Sequence, residues 1–280
     1  MSCLAASAQA YWKGFNLPAT LPSGACKSVN DWKKDFAVVK GLPGKFNAVR
    51  LYAASDCNTL ANAVPAAKAS GVKVLVGVWT EDDGHFNAEK QALLAAVKKY
   101  GHDWIVSVSV GSEDLYRKDT SAEVLANKIN DVRGMLWSVG AGKVQVGHVD
   151  TWTAWVDPKN KAAIKACDFV GTDGYPYFQD AARKDSYNVF WQSIEATRSV
   201  VNSVKPGTWV WITETGWPVR GPTRGKAIPS VAGAAAYWKS VACSAFSQAH
   251  TFWYILQDYH ESPSFGVVDQ NFKPLYDLKC

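Results

Sequence analysis

The chain has 280 residues, of which 48% are hydrophobic, and it carries a formal net charge of +5. This length fits a single α/β barrel. No apolar run reaches the roughly 18 residues that a transmembrane helix needs, so we expect no membrane partner. The Lys and Arg residues are scattered over helical stretches and form no basic stripe, so we expect no nucleic-acid partner.

The first ten residues have the composition of the end of a secretory signal. Ala8-Gln9-Ala10 fits the small-residue pattern at a cleavage site. We predict that residues 1–10 are a signal remnant and that residues 11–280 form one folded domain; an ordinary Ala-rich tail is the alternative. Export favours disulfides among the five cysteines that follow the signal remnant, and five leaves one unpaired; they are Cys26, Cys57, Cys167, Cys243 and Cys280. Cys26 and Cys57 both fall in loops after the first two strands, so we favour that pair, with one other cysteine left unpaired.

Short apolar runs recur along the chain, with helical patterns between them. Continuous apolar runs of this length are typical of strands in a parallel sheet that is covered on both faces. The predicted strands are 11–15, 48–52, 73–79, 104–110, 143–148, 168–172, 209–213 and 251–256.

Seven stretches between these strands have helical spacing. Gly71 is the expected end of one helix, and Asn87 and Ser121 are expected N-caps. Eight β/α units without a dividing linker predict an α/β fold, a single (β/α)8 barrel. The competing open sheet lacks a Gly-x-Gly-x-x-Gly after the first strand. The predicted helices are 28–40, 59–70, 87–100, 121–138, 159–166, 187–204 and 230–247.

Two glutamates each end an apolar strand. Glu113 follows the run 104–112, and Glu214 follows the run 209–213. In a barrel both carboxyls point into the cleft at the C-terminal ends of the strands, nearly opposite each other. Glycoside cleavage needs one protonated carboxyl for the leaving oxygen and one ionised carboxylate for the anomeric carbon, about 5–5.5 Å apart when configuration is retained. We therefore predict Glu113 as the acid/base and Glu214 as the nucleophile.

Acidic and aromatic side chains dominate the other predicted strand ends. Such a set repels phosphate and suits a neutral polyol, whose rings stack on aromatic side chains and whose hydroxyls exchange hydrogen bonds. Each candidate also has an ordinary structural role as its alternative. The candidate substrate contacts are Arg50, Tyr52, Glu81, Ser112, Asp150, Trp152, Asp173, Tyr175, Tyr177, Phe178, Trp217 and Trp253.

Three of these neighbourhoods allow a more specific expectation. Arg50 is expected to orient the nucleophile, and Tyr175 to donate a hydrogen bond to it. The acidic triplet at residues 81–83 lacks the ligand spacing of a calcium loop. Histidine is scarce and no Cys-x-x-Cys occurs, which argues against zinc. We expect no metal and no cofactor, and we expect His148 to be a hydrogen-bonded residue at a strand end.

Four segments resemble a known enzyme family. Val110-Gly111-Ser112-Glu113 and Ile212-Thr213-Glu214-Thr215-Gly216-Trp217-Pro218 are similar to the two signature segments of the family-17 glycoside hydrolases. Arg50-Leu51-Tyr52 and Gly174-Tyr175-Pro176-Tyr177-Phe178 resemble the short fungal branch of that family. The resemblance implies a (β/α)8 fold and retaining action on β-1,3-glucan. It also implies an acid/base after strand four and a nucleophile after strand seven, in agreement with the assignment above.

One residue departs from the family pattern. Enzymes of this clan usually carry Asn before the acid/base, where it contacts the sugar 2-hydroxyl, and this chain has Ser112. A serine hydroxyl is shorter, so it reaches that hydroxyl only through water or a shifted sugar. The resemblance also implies that a subdomain of the plant enzymes near strand six is absent, which leaves hydrolysis and transfer both open.

These expectations together describe a secreted, monomeric cell-wall enzyme. We predict that residues 11–280 form a catalytic barrel that cleaves internal bonds of β-1,3-glucan oligo- and polysaccharides with retention. A β-1,3-glucanosyltransferase is the alternative within the enzymes. A catalytically silent glucan-binding barrel is the alternative from another class.

Overall fold

The structure, a computed structural model, describes residues 11–258 and 261–280. The predicted signal remnant, residues 1–10, lies outside the described residues. Within the described ranges, eight parallel strands close into a barrel in chain order, and the first strand pairs with the eighth. The predicted single (β/α)8 barrel is confirmed.

The strands follow the predicted positions with two main differences. The fifth begins three residues later than expected because a turn, in which the Val144 N–H donates to the Ala141 carbonyl over 3.0 Å, occupies the start of that apolar run. The eighth is shorter because the Tyr254 N–H bonds to the Thr215 carbonyl instead of a strand neighbour. The strands are β1 (Lys13–Asn16), β2 (Ala48–Leu51), β3 (Lys73–Val78), β4 (Ile105–Ser112), β5 (Val146–Thr151), β6 (Phe169–Asp173), β7 (Trp209–Glu214) and β8 (Thr251–Trp253).

The helices surround the barrel in the order that the periodicity predicts. Two short ones, the fourth and sixth, were not predicted because a single turn gives no periodic signal. The predicted helix 230–247 is interrupted by a π-helical turn, Trp238–Ala242. The helices are α1 (Val29–Gly41), α2 (Thr59–Ser70), α3 (Asp83–Tyr100), α4 (Asp114–Arg117), α5 (Ala122–Ser138), α6 (Trp152–Val156), α7 (Lys161–Ala166), α8 (Ser186–Val204), α9 (Val231–Tyr237) and α10 (Cys243–Gln248).

The helix ends test three expected caps. Gly71 ends α2 with a φ of 74°, a left-handed conformation that glycine adopts without steric cost. Ser121 caps α5 by accepting from the Val124 N–H. The prediction of Asn87 as the cap of α3 is wrong: α3 begins at Asp83, and the Asp82 side chain caps it by accepting from the His85 N–H at 2.8 Å. Acidic residues at 82–83 favour this earlier start because they complement the positive end of the helix dipole.

Buried aromatic side chains fill two layers. Inside the barrel, at the end away from the strand C-termini, Phe169 and Trp211 stack with ring centroids 4.3 Å apart. Between barrel and helices, Trp238 packs edge-on against Trp253 at 5.0 Å. Most of the tryptophan excess therefore serves the core and leaves few rings for a surface cleft.

Two disulfides close loops on the barrel. Cys26–Cys57 joins the β1–α1 and β2–α2 loops, which confirms the favoured pair. Cys243–Cys280 ties α10 to the C-terminal residue, and Cys167 is buried and unpaired, as the count of cysteines predicts. In the described ranges, no helix is long and apolar enough to cross a membrane.

Candidate active site

Glu214, the last residue of β7, receives three hydrogen bonds at the barrel mouth. Arg50 Nη1 and the Tyr52 hydroxyl both donate to Oε1, the latter over 3.0 Å. The Tyr175 hydroxyl donates to Oε2 over 2.7 Å. The carboxyl group is almost fully buried, so these donors replace the water that a charged carboxylate otherwise needs. The expected roles of Arg50 and Tyr175 toward Glu214 agree with this geometry.

Arg50 is itself held in place from two sides. Its Nη1 donates to the Asn16 side-chain oxygen over 3.0 Å, and its Nη2 donates to the Ser112 hydroxyl over 2.9 Å. The Asn16 amide in turn donates to backbone carbonyls of β7 and β8, one of them that of Thr213 at 3.0 Å. Sequence analysis missed Asn16, although a polar residue ending the apolar strand β1 was the available signal.

The two tyrosines that donate hydrogen bonds to Glu214 keep their hydroxyl protons. Burial and the negative charge of Glu214 raise the pKa of Tyr52 well above its usual value. The same two causes raise the pKa of Tyr175. Both hydroxyls therefore keep their protons at working pH and donate to the carboxylate.

Glu113 sits at the turn between β4 and α4, and its environment differs from that of Glu214. Its backbone has a left-handed conformation, with φ of 58° and ψ of 23°, and its side chain is 28% exposed. The nearest cation is Arg117, whose Nη1 lies 3.7 Å from Oε2. Burial is the largest cause that raises the pKa of Glu113 to about 7, followed by the negative charge of Glu214.

Both glutamates line one cavity of about 500 Å³ at the C-terminal ends of the strands. A second cavity of about 510 Å³ continues on the side of β1, β2 and β8, and Tyr254 and Glu261 line both. Tyr52 lines the second cavity. The two cavities adjoin at Tyr254 and Glu261, and the carboxyl pair lines the first of them. The expected separation of the two carboxyls stays a prediction.

Several predicted contacts reach this cleft. Asp173 lines the catalytic cavity; its Oδ1 accepts from the Thr213 hydroxyl over 2.7 Å, and its buried Oδ2 has no hydrogen-bond partner among the described residues. Burial and the charge of Glu214 raise the pKa of Asp173 well above its usual value. Trp152 and Phe178 line the same cavity, and Phe178 is 46% exposed. Their contacts with sugar remain predictions.

Three predicted aromatic contacts are kept out of the cleft, and we assign them to packing. Tyr177 is fully buried, and its hydroxyl donates to the Pro222 carbonyl over 2.7 Å. Trp217 is buried, and its indole N–H donates to the Ile228 carbonyl. Trp253 faces the helices and packs between Tyr237 and Trp238. Trp253 lies on β8, where successive side chains alternate in direction, and it falls on the side of the helices. Tyr177 and Trp217 lie in loops, and their hydrogen bonds to backbone carbonyls hold them in the core.

Three predicted polar contacts also have other partners. Ser112 accepts from Arg50, so its hydroxyl helps to hold the residue that contacts Glu214. Asp150 is fully buried and bonds to His148 and to backbone N–H groups. Glu81 is 72% exposed and lies 3.5 Å from His85 Nδ1, outside the lining of either cavity. We therefore remove Asp150 and Glu81 from the candidate sugar contacts.

One group of side chains among the described residues has the spacing of a metal site. Ligand atoms of Asp56, His85 and Glu89 lie within 4.8 Å of one another. Glu89 is buried, and its oxygens already accept from the backbone N–H groups of Ala54, at 2.5 Å, and Trp79, at 3.0 Å. These hydrogen bonds link the loops after β2 and β3, so the three side chains have a structural role that requires no ion.

Sequence analysis missed much of the cleft wall. Tyr116 follows Glu113, and Tyr254, Pro263 and Phe265 come from the long segment after β8. That segment has no repeating pattern, so its residues gave no signal. Tyr175 packs edge-on against Tyr254 at 5.8 Å and Phe265 at 5.5 Å, and the three rings form one wall.

Comparison with known proteins agrees with this geometry. Residues 14–272 match the BtgE/BtgC glycoside hydrolase domain. The chain belongs to the BtgE/BtgC glycoside hydrolase family. This match, with the relatives named below, confirms the resemblance predicted from the sequence. A solved enzyme of family 17 shares the fold.

Three similar proteins illustrate the relationship of this BtgE/BtgC chain. A probable glucan endo-1,3-β-glucosidase of Aspergillus oryzae is 39% identical over 98% of this chain, which spans 64% of that relative's length. A glucan 1,3-β-glucosidase of Saccharomyces cerevisiae is 39% identical over 82% of this chain and 75% of the yeast protein. The family-17 β-1,3-glucanosyltransferase of Rhizomucor miehei superposes with a TM-score of 0.82 at 23% identity. The superposition covers 95% of this chain and 98% of the Rhizomucor chain.

Proposed function

We propose that this chain is a retaining glycoside hydrolase that acts on β-1,3-glucan through Glu113 and Glu214. The observation that carries the proposal is the contrast between two carboxyls in one cavity. Glu214 is surrounded by three donors, which suit an ionised nucleophile. Glu113 has a pKa raised to about 7, which suits an acid that still holds its proton in mildly acidic solution.

The first step forms a covalent ester. Arg50 and Tyr52 occupy Oε1 of Glu214, whereas Oε2 accepts only from Tyr175 among the described residues, so Oε2 keeps a lone pair for attack. A Glu214 oxygen bonds to the anomeric carbon as the glycosidic C–O bond breaks. Glu113 gives its proton to the departing oxygen, and the sugar stays bound to Glu214 as a glycosyl ester.

The second step releases the sugar with its original configuration. Glu113, now a carboxylate, takes a proton from the incoming hydroxyl as its oxygen attacks the anomeric carbon. The ester C–O bond breaks, and Glu214 becomes a carboxylate again. Water as the incoming group gives hydrolysis, and a sugar hydroxyl gives transfer and a longer chain.

The substrate proposal rests on the character of the cleft and on the relatives. The cavity combines acidic groups with aromatic walls, which matches a neutral sugar polymer more closely than a charged ligand. The Aspergillus and Saccharomyces relatives are named for action on 1,3-β-glucan. Cleavage of internal bonds is favoured because a second cavity adjoins the catalytic cavity at Tyr254 and Glu261, which gives room for further sugar units.

A second candidate function is β-1,3-glucanosyl transfer. The protein from Rhizomucor miehei, which carries that name, matches almost its whole length to this fold. Phe178, which is 46% exposed, and Trp152 line the cavity that holds both glutamates, and we infer that they hold the acceptor sugar. Stacking there favours a sugar hydroxyl over water as the incoming group.

We further propose that the protein works as a monomer outside the cell, at the cell wall. Two disulfides support an oxidising compartment. An open cleft binds internal segments of an insoluble polymer, and this also fits action at the cell wall.

The test uses laminarin and a defined β-1,3-glucan oligomer. Glu113→Gln and Glu214→Gln each keep the side-chain shape and remove the proton transfer or the nucleophile, so both are expected to abolish turnover while the fold is retained. Glu195→Gln, an exposed glutamate on α8 that pairs with Arg198, is the matched control and is expected to act like wild type. Near-normal rates in either active-site variant reject the assignment. Products longer than the supplied oligomer identify transfer, and release of reducing ends excludes a pure binding protein.

A further inference from the structure

Three consecutive residues of β5 hold the turn that carries Glu113. The Val110 carbonyl, on β4, accepts from His148 Nδ1 over 2.6 Å. The Val149 carbonyl accepts from the N–H of Glu113 over 2.9 Å. Asp150 Oδ2 accepts from the N–H of Leu115, the second residue of α4, over 2.9 Å. The turn is therefore fastened before, at and after the glutamate.

His148 and Asp150 act together in this arrangement. His148 Nε2 lies 2.9 Å from Asp150 Oδ2, and both side chains are completely buried. A carbonyl faces Nδ1 and a carboxylate faces Nε2, so both ring nitrogens are placed to donate. Asp150 also accepts from the Thr151 N–H at 2.8 Å. Burial disfavours a charged His148 ring, but the hydrogen bond and charge of Asp150 outweigh it and raise the pKa of His148.

The turn needs such restraint because of its backbone. Glu113 has a φ of 58°, a left-handed backbone conformation that residues other than glycine rarely adopt. Such a conformation persists only when surrounding contacts outweigh its cost. A fourth contact, from Arg117 Nη2 to the Ser112 carbonyl at 2.5 Å, adds to the three from β5.

We propose that His148 and Asp150 form a positioning pair that aims the Glu113 carboxyl at the glycosidic oxygen. Neither residue lines the catalytic cavity, so neither touches the substrate. Their effect on the reaction passes through the turn that they hold. The inference rests on the proposed function, since it assigns a partner to the acid/base of that reaction.

The charges around Glu113 define what the pair contributes besides geometry. Negative groups face Glu113 from β7, at Glu214, and from β5, at Asp150, and both raise its pKa. Positive groups face it from α4, at Arg117, and from β2, at Arg50, and both lower it. Asp150 therefore acts on the proton donor through the backbone and through its charge.

The test compares two leaving groups. Protonation by Glu113 matters for a sugar hydroxyl, a poor leaving group, and matters little for dinitrophenolate, which leaves without a proton. In Asp150→Asn, we expect kcat on a β-1,3-glucan oligomer to fall at least about 10-fold. With 2,4-dinitrophenyl β-laminaribioside, we expect the rate of enzyme glycosylation to stay within about threefold of wild type.

Asp150→Asn leaves the buried His148 without its charged partner, which is a cause of misfolding. A second variant avoids this. The double variant His148→Leu/Asp150→Val replaces the whole pair by apolar residues, a change that buried ion pairs often tolerate. The same selective loss on the oligomer is expected. Val39→Ala, in the core of α1 and far from β5, is the destabilised control and is expected to retain both rates.

The outcomes separate this inference from the proposed function. Wild-type activity on both substrates with a selective loss in the variants supports the positioning pair. Equal losses on both substrates, or no loss on either, overturn the positioning pair and leave the enzyme assignment intact. Wild-type protein that is inactive on both substrates overturns the proposed function itself.

Discussion

The Tyr175 hydroxyl lies 2.7 Å from Oε2 of Glu214, on the opposite oxygen from the one that Arg50 and Tyr52 contact. The carboxyl group is therefore held from both edges. Tyr175 in turn packs against Tyr254 and Phe265, so the position of the donor depends on the aromatic wall of the cleft. This contact gives the first prediction.

Replacing Tyr175 by Phe removes one hydrogen bond to a charged group and keeps the ring. Such bonds contribute about 1.5–3 kcal/mol, so we expect kcat/KM on a β-1,3-glucan oligomer to fall about 10- to 100-fold. Tyr177→Phe is the matched control, because its hydroxyl bonds only to a backbone carbonyl away from the cavity. Steady-state kinetics of both variants check the prediction, and equal activity of Tyr175→Phe and wild type contradicts it.

The alkaline limb of the pH profile should belong to Glu113. The acid works in its protonated form, and its pKa is raised to about 7. Activity is therefore expected to be high on the acidic side and to fall as the pH rises through about 7. The measurement is kcat/KM on an oligosaccharide from about pH 4 to 9. With a 2,4-dinitrophenyl glycoside, whose leaving group needs no proton from Glu113, the same limb is expected to be absent from kcat/KM of the wild type; a limb with an unchanged midpoint on that substrate assigns it to another group.

The two catalytic candidates were predictable from the sequence because each ends a long apolar strand. That pattern fixes both the element and the end of the barrel at which the carboxyl lies, as Glu113 and Glu214 illustrate. The places of Arg50 and Tyr175 in the site were predictable by the same reasoning, since both lie near the ends of predicted strands. Closure of eight strands also followed from their number and spacing.

The direction of individual side chains was harder to predict. Tyr177 and Phe178 are adjacent, yet the first is buried and the second faces the cavity. A loop has no fixed alternation from which to decide between them. Asp150 was mistaken for a sugar contact because its partners, the His148 ring and the Leu115 N–H, come together only through the pairing of β4 and β5.

Phe178 offers a test of the cleft that does not touch the carboxyls. Its half-exposed ring lines the catalytic cavity, so Phe178→Ala removes a surface on which sugar can stack. We expect KM for longer oligomers to rise several-fold, roughly the effect of about 1 kcal/mol, and the share of transfer products to fall. Trp137→Ala, an exposed tryptophan on α5 outside the cavity, should change neither value. A product profile identical to that of wild type argues against stacking at Phe178.

The Cys26–Cys57 bridge should matter for stability more than for chemistry. It closes a separation of 31 residues between two loops, for which the chain-entropy account gives about 3–4 kcal/mol. The double variant Cys26→Ser/Cys57→Ser is therefore expected to lose that amount in urea unfolding. Cys167→Ala keeps both disulfides and serves as the control. An unchanged unfolding midpoint in the double variant contradicts the expectation.

The most direct test of the two-carboxylate account is to trap its covalent ester. A 2-deoxy-2-fluoro-β-laminaribiosyl fluoride forms the glycosyl-enzyme and slows its breakdown, so the labelled residue can be found by peptide mass spectrometry. The account predicts one added laminaribiosyl group, located on Glu214. A label on Glu113 or on another residue, or no label while the wild-type enzyme still turns over glucan, contradicts it.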